Sequence, residues 1–162
     1  MLARYTSLAV FLAIVVLAVL LAGSFEAGEW YYQKLSRPWW APPAWLFGVT
    51  WSLCYVVAAL AAWRVWMSRH SDRIRALGWW LMLLLLNTAW SALFFGAHRI
   101  GWACLVLGAA TVVTALCIRT FAYISKQGAC LMSSLLPWLL FVWTLNLVEW
   151  NANGGPLARF LP

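Results

Sequence analysis

The chain has 162 residues, of which 65% are hydrophobic, only 9% are charged and 14 are tryptophan. Soluble domains carry roughly 25% charged and about 45–50% apolar residues, so this composition excludes a solvated domain of ordinary kind. It also excludes a disordered or nucleic-acid-binding tail: the net charge of +7 comes from basic residues scattered between apolar runs, where they orient a chain in a bilayer.

A helix needs about 20 apolar residues to cross the roughly 30 Å hydrocarbon core. Charge-poor stretches fall at about 5–22, 44–66, 77–97, 101–122 and 129–150. None alternates with period two as a barrel strand would. The sequence therefore predicts an all-α integral membrane protein, a bundle of five transmembrane helices in one domain over 1–162, with no room for a separate soluble domain. The first stretch has a second reading as a cleaved signal peptide. Arg4 precedes it, small residues surround Ala22–Ser24, and its apolar core Leu8–Ala22 reaches the top of the usual signal-peptide length. A retained span is the favoured reading.

Counting Lys and Arg in the connections sets the orientation. With the N-terminus inside, Arg4, Arg64, Arg69, Arg73, Arg75, Arg119 and Lys126 lie on the inner side, and Lys34, Arg37, Arg99 and Arg159 on the outer. Seven against four predicts the N-terminus inside and the C-terminus outside.

One connection is unlike the others. Residues 23–43 are too long for a tight turn, and Pro38, Pro42 and Pro43 forbid a continuous helix through them. Long loops are functional or disordered. Trp30, Tyr31, Tyr32, Trp39 and Trp40 argue against disorder, so Trp30 to Pro43 is expected to form a folded lid that includes Pro38, Pro42 and Pro43.

Conventional chemistry has no candidates. The sequence has no Gly-rich phosphate loop, no GxSxG elbow, no HExxH and no carboxylate pair. Cys54, Cys104, Cys117 and Cys130 stand alone in or beside apolar runs, without metal-ligand spacing. His70 and His98 fall in short loops and are expected to be solvated or to face headgroups. Glu149, near the outer end of the last stretch, reads as an interfacial carboxylate.

The remaining resource is aromatic surface with a few amides. Most tryptophans lie in the long loop or at span ends, where an aromatic belt accounts for them. Trp51, Trp90, Trp138 and Trp143 lie deeper. Asn87, Trp90, Ser91 and Phe94 follow i, i+3, i+4, i+7 and share a helix face. Trp51, Tyr55, Ala58 and Ala62 form a second stripe, and Trp138, Val142, Leu145 and Asn146 a third. Trp143 is expected to point elsewhere, towards lipid or a partner subunit. A buried amide needs a hydrogen-bond partner, so Asn87 is either glue between helices or a group that binds ligand. The three faces either fill a core or line a pocket for a large, flat, mostly apolar ligand, with indole faces stacking on it.

At these residues the sequence resembles the TspO/MBR family, the tryptophan-rich sensory proteins and translocator (peripheral benzodiazepine receptor) proteins. Leu35, Arg37-Pro38, Trp40 and Pro42-Pro43 match the family's WYxxLxKPxWxPP, with Arg37 in place of lysine. The WY pair falls on Tyr31-Tyr32 without a gap, or on Trp30-Tyr31 with one. Phe47, Trp51 and Tyr55 continue the likeness. Leu86-Asn87, Trp90-Ser91 and Phe94-Phe95-Gly96 match LNxxWSxxFFG, and Leu145-Asn146, Trp150 and Asn153 match the closing LNxxxW-xxN. Three departures stand out. Leu83 replaces a usual glutamine, Pro137 sits beside Trp138 where the family has PYxxW, and the first span lacks the family's proline and glycine signature.

The resemblance implies a five-helix bundle, often a homodimer, with a pocket beneath the first loop. It implies binding of tetrapyrroles such as protoporphyrin IX or heme-type ligands, of benzodiazepine-type drugs and, in some relatives, of sterol. No cofactor is required, the tetrapyrrole being the ligand. A bacterial cell membrane is the expected setting. The ligand-binding set expected is Trp39, Trp51, Tyr55, Asn87, Trp90, Phe94, Trp138, Val142, Leu145 and Asn146. The positions matching Trp51 and Trp138 are linked in the family to light-dependent porphyrin breakdown, which gives the two a tentative catalytic role. No metal site and no nucleic-acid partner are expected.

Overall fold

The computed structural model describes residues 2–25 and 27–156. Arg159, counted above to the outer side, lies outside the described residues. Six α-helices build five membrane-length spans: α1 (Leu2–Gly23), α2 (Ala44–Met67), α3 (Arg73–Ser91), α4 (Ile100–Ile124), α5 (Lys126–Ser133) and α6 (Leu135–Ala152). No strand occurs among the described residues. One end of the bundle carries the 23–43 connection and the C-terminal end of α6. The other, which holds the seven basic residues counted above, is called the basic end below.

The apolar runs place the helices, and local chemistry trims them. Residue 77 was the expected start of the third span, yet α3 begins at Arg73, because charged residues can occupy a first helical turn at headgroup depth. Its far end runs on into a π-helical turn, Ala92–Gly96, closed by the Ala97 N–H donating to the Ala92 carbonyl at 2.8 Å. The last span, expected as one helix, is broken at Ser134 into α5 and α6. Pro137 has no N–H to offer the carbonyl four residues back, that of Ser133. The Ser133 and Ser134 hydroxyls donate instead to the Cys130 and Leu131 carbonyls.

Small residues set the closest approaches, as expected where lipid gives helices no hydrophobic drive to associate. Ala58, Ala59, Ala61 and Ala62 of α2 are fully buried, and a Cβ on Gly128 of α5 would stand 3.0 Å from the Ala61 carbonyl oxygen. On α4, Gly101 and Gly108 receive the Trp150 and Trp143 rings of α6. Trp143 thus lays one edge on α4 and is 37% exposed, rather than pointing wholly outwards. At the basic end, Trp63 Nε1 donates to Ser7 Oγ at 3.2 Å and Arg4 lies over the Trp63 ring, which fastens α1 to α2 there.

Residues 27–43 are folded. Trp30–Lys34 form a π-helical turn, Tyr31 and Leu35 are buried, and Pro43 caps α2 in extended conformation.

Candidate functional site

A cavity of about 540 Å³ lies between α1, α2, α3 and the 23–43 connection. Phe47, Trp51 and Tyr55 of α2 form one wall, and Asn87, Trp90 and Phe95 form another. Trp51 and Trp90 are nearly parallel, with ring centroids 5.7 Å apart and planes 28° apart. Tyr31, Tyr32 and Pro42 close the loop end. The third wall is α1 with its exit: Val19, Ala22 and Gly23, then Phe25 and Ala27. Two contacts hold that exit in place. Ser91 Oγ donates to the Ala22 carbonyl at 2.8 Å, satisfying one of the free carbonyls at the end of α1. The Phe25 ring lies so close to Gly96 that a Cβ there would meet it at 2.7 Å.

Polar atoms are few here, and two fully buried ones have no partner among the described residues. Asn87 is 5% exposed, and its Oδ1 accepts no hydrogen bond from the described residues. Trp51 is only partly buried, but its Nε1 is covered and donates to none of the described residues. Two residues of the cavity wall therefore each hold a buried polar atom, one acceptor and one donor, that costs free energy until it finds a partner. Asn146 is the opposite case. Its Oδ1 accepts from Trp90 Nε1 at 3.0 Å, and its Nδ2 donates to the Ile100 carbonyl at 3.2 Å. The glue between helices is Asn146, and Asn87 is the amide without protein partners.

The expected ligand-binding set divides accordingly. Trp51, Tyr55, Asn87 and Trp90 line the cavity. Phe94, Val142, Leu145 and Asn146 do not: they pack behind Trp90 around a void of only about 10 Å³. Trp138 does not line it either. It meets Trp51 edge to face at 6.3 Å, opens on a narrow crevice beside Asn87, and leaves its own Nε1 unpaired. Trp39 is 95% exposed and lies on the outside of the connection with Pro38. Trp40 packs on Phe141, and Trp30 stacks on His98 at 4.1 Å. His98 itself is exposed, with a positive φ of 54°.

Several lining residues were not anticipated. The α1 wall could not be read from a helix that is apolar all round, with no polar residue between Ser7 and Ser24. Phe95 follows from its place beside Phe94 only once the π-helical turn is known, since the extra residue shifts the face it presents.

Glu149, in the last turn of α6, is covered by protein and 2% exposed, with Tyr31 Oη donating to its Oε1 at 3.5 Å. The Arg37 guanidinium lies over the Tyr31 and Tyr32 rings at 4.8 and 5.4 Å. Burial first, and the Glu149 carboxylate second, push the Tyr31 phenol up to about 12. Beside this pair, Asn153 accepts the Ser36 N–H at 3.0 Å and donates to the Ser36 carbonyl at 2.9 Å. The connection is thereby pinned to the end of α6.

Comparison with known proteins decides the family. Residues 9–151 match the TspO/MBR family. The chain belongs to it. It is an integral, multi-pass membrane protein of that family, helical with five membrane-length spans among the described residues. It is 35% identical to the human translocator protein (Homo sapiens) over 132 residues, covering 77% of this chain and 76% of that one. It is 32% identical to protein CrtK of Rhodobacter capsulatus over 134 residues, 81% of this chain and 82% of the relative. The tryptophan-rich sensory protein of Cereibacter sphaeroides is also 32% identical, over 132 residues, with the same coverage of 81% and 82%.

Proposed function

We propose that this TspO/MBR protein is a receptor of translocator or sensory type. Its ligand is a tetrapyrrole such as protoporphyrin IX, or a drug-like molecule of similar shape, taken up in the aromatic cavity. One observation carries the reading: aromatic rings wall the cavity, and two of its lining residues, Asn87 and Trp51, each carry a buried polar atom, Oδ1 and Nε1, that no group among the described residues satisfies. A flat aromatic macrocycle with N–H groups and carboxyl edges complements that combination. The cavity volume of about 540 Å³ lies within the range of small-molecule sites. The 23–43 connection acts as the lid, and the seven basic residues at the other end face the inside of a bacterial cell. Among the described residues the buried acid Glu149 lies at the loop end of α6 and no Asp, Glu, Lys or Arg lies mid-span to couple ligand movement to protons, which supports passive transport.

The test is tryptophan-fluorescence quenching by protoporphyrin IX in detergent. Asn87→Leu and Trp51→Phe should each weaken the dissociation constant about fivefold to tenfold, the worth of one hydrogen bond in a low-dielectric site. Wild-type affinity in both folded variants would remove the cavity as the site.

A second reading is supported by the contact between Trp51 and Trp138. Two indoles edge to face, one on the cavity and one behind it, form a relay. A photoexcited porphyrin draws one electron from the pair and passes it to oxygen, giving superoxide. The indole radical cation regains an electron from the porphyrin, so that the net change is porphyrin oxidised and oxygen reduced by one electron each. Because Trp138 does not line the cavity, Trp138→Phe separates the two readings: a light-dependent absorbing product disappears while binding persists. Equal porphyrin bleaching by free tryptophan would leave nothing to attribute to the protein.

A further inference from the structure

At the basic end, on the opposite side of the membrane from the aromatic cavity, a second recess of about 690 Å³ opens between the start of α3 and the end of α4. Its two walls carry the same spacing. Asp72, Arg75, Ala76 and Trp79 stand at i, i+3, i+4 and i+7 on one side, and Leu116, Arg119, Thr120 and Tyr123 repeat the pattern on the other. Each wall thus brings one arginine and one aromatic residue into the same recess.

The charges do not balance. Asp72 is the single acid at this end, against seven basic residues. Its carboxylate is already shared, with Arg75 at 3.7 Å and His70 at 4.0 Å. Arg119 has neither an ion pair nor a hydrogen bond among the described residues. Thr120, beside it, turns its hydroxyl back to the Leu116 carbonyl at 2.8 Å. Arg119 lies five residues before the last residue of α4, a depth of roughly 7.5 Å. Leu116 lies deeper on the same face. Tyr123 is 76% exposed at the rim, and Trp79 is half-buried. On α3 Arg75 precedes Trp79 in depth, and on α4 Arg119 precedes Leu116, so each wall runs from cation to apolar floor as a lipid runs from phosphate to acyl chain, with Tyr123 at the rim beside the headgroup. A free phosphate ion has nothing to lay on Trp79 and Leu116.

We propose that the α3/α4 recess is a binding site for an anionic glycerophospholipid, with its phosphate between Arg75 and Arg119 and one acyl chain along Trp79 and Leu116. This does not rest on the ligand of the aromatic cavity. Arg119 supplies the unopposed charge, Arg75 the second contact, and Asp72 weakens the site by holding part of Arg75. A basic recess between helices at a membrane face is the kind of place where anionic headgroups are recognised.

The full chain, released from detergent, would be titrated with phosphatidylglycerol or with phosphatidylcholine of the same acyl chains, and bound lipid counted by native mass spectrometry. Phosphatidylglycerol should be retained at about fivefold lower concentration, the factor one basic residue contributes near an anionic headgroup. Arg119→Gln should abolish the preference, and Asp72→Asn should increase it. Lys126→Gln, at the same end but outside the recess, should leave it unchanged. Millimolar inorganic phosphate should not displace the lipid. The proposal is overturned if Arg119→Gln keeps the preference, if Lys126→Gln loses as much of it, or if inorganic phosphate competes, which would make this a plain anion site.

Discussion

Two asparagines deep in the bundle look alike in sequence and behave differently in the fold. Asn146 is satisfied at both ends of its amide, by Trp90 and Ile100. Replacing it by leucine leaves the Trp90 indole N–H buried without an acceptor, so Asn146→Leu should lower stability by about 1–3 kcal/mol. Asn87→Leu removes an amide whose acceptor has no protein partner, so stability should hold or rise while porphyrin affinity falls. Thermal unfolding of both variants in one detergent checks this, and equal losses would refute the distinction. Tyr31 adds a pH-dependent feature. Its phenol is held up to about 12 in the folded chain against the ordinary tyrosine value of about 10, so folding favours the protonated form. The stability this contributes is full below about pH 10 and is lost as pH rises towards 12. A melting series from pH 8 to 12 should show wild type losing stability over that window, and Tyr31→Phe should lose less.

At the level of elements, glycines report where helices touch. A Cβ on Gly101 of α4 would meet the Trp150 ring at 2.8 Å, and that ring cannot swing away as a flexible chain end could. Gly101→Ala should therefore cost about 1–3 kcal/mol of stability by overpacking. Gly78 of α3 has nothing within 4 Å of the same position, so Gly78→Ala should gain up to about 1 kcal/mol from helix propensity alone. Chemical or thermal unfolding of the pair measures both signs in one experiment. The same distinction explains what the sequence could convey. Apolar run length located five spans, because crossing a bilayer demands it. Spacing put Asn87, Trp90, Ser91 and Phe94 on one face, and all four are buried. Spacing could not say what stands between a face and the cavity. The α6 face of Trp138, Val142, Leu145 and Asn146 is screened by Phe47, Trp51 and Trp90, which no single-helix pattern encodes. Nor could α1 be oriented, since a helix without polar residues offers no sign of which side turns inward.

Taken whole, the bundle is fastened at one end and parted at the other. Ser7, Arg4 and Trp63 tie α1 to α2 at the basic end, whereas Val19, Gly48 and Ser52 line the cavity at the loop end and are also exposed. The cavity is thus open sideways, between two helices whose outer surfaces face lipid, while Tyr31, Glu149, Ser36 and Asn153 hold the connection down over its top. An apolar ligand reaching the cavity by this route comes from the bilayer, and its binding should follow its mole fraction in lipid. In nanodiscs at fixed protein and fixed total protoporphyrin, occupancy should fall as the lipid-to-protein ratio rises. Gly48 has open space where a side chain would stand, so Gly48→Leu should narrow the opening without unfolding the helix. Its association rate, followed by stopped-flow tryptophan quenching, should drop at least threefold with little change in melting temperature. If the rate holds in Gly48→Leu but rises when the Asn153 clamp is removed by Asn153→Ala, the ligand enters under the connection from water instead. The two variants act on different walls of one cavity, so either outcome identifies the entrance.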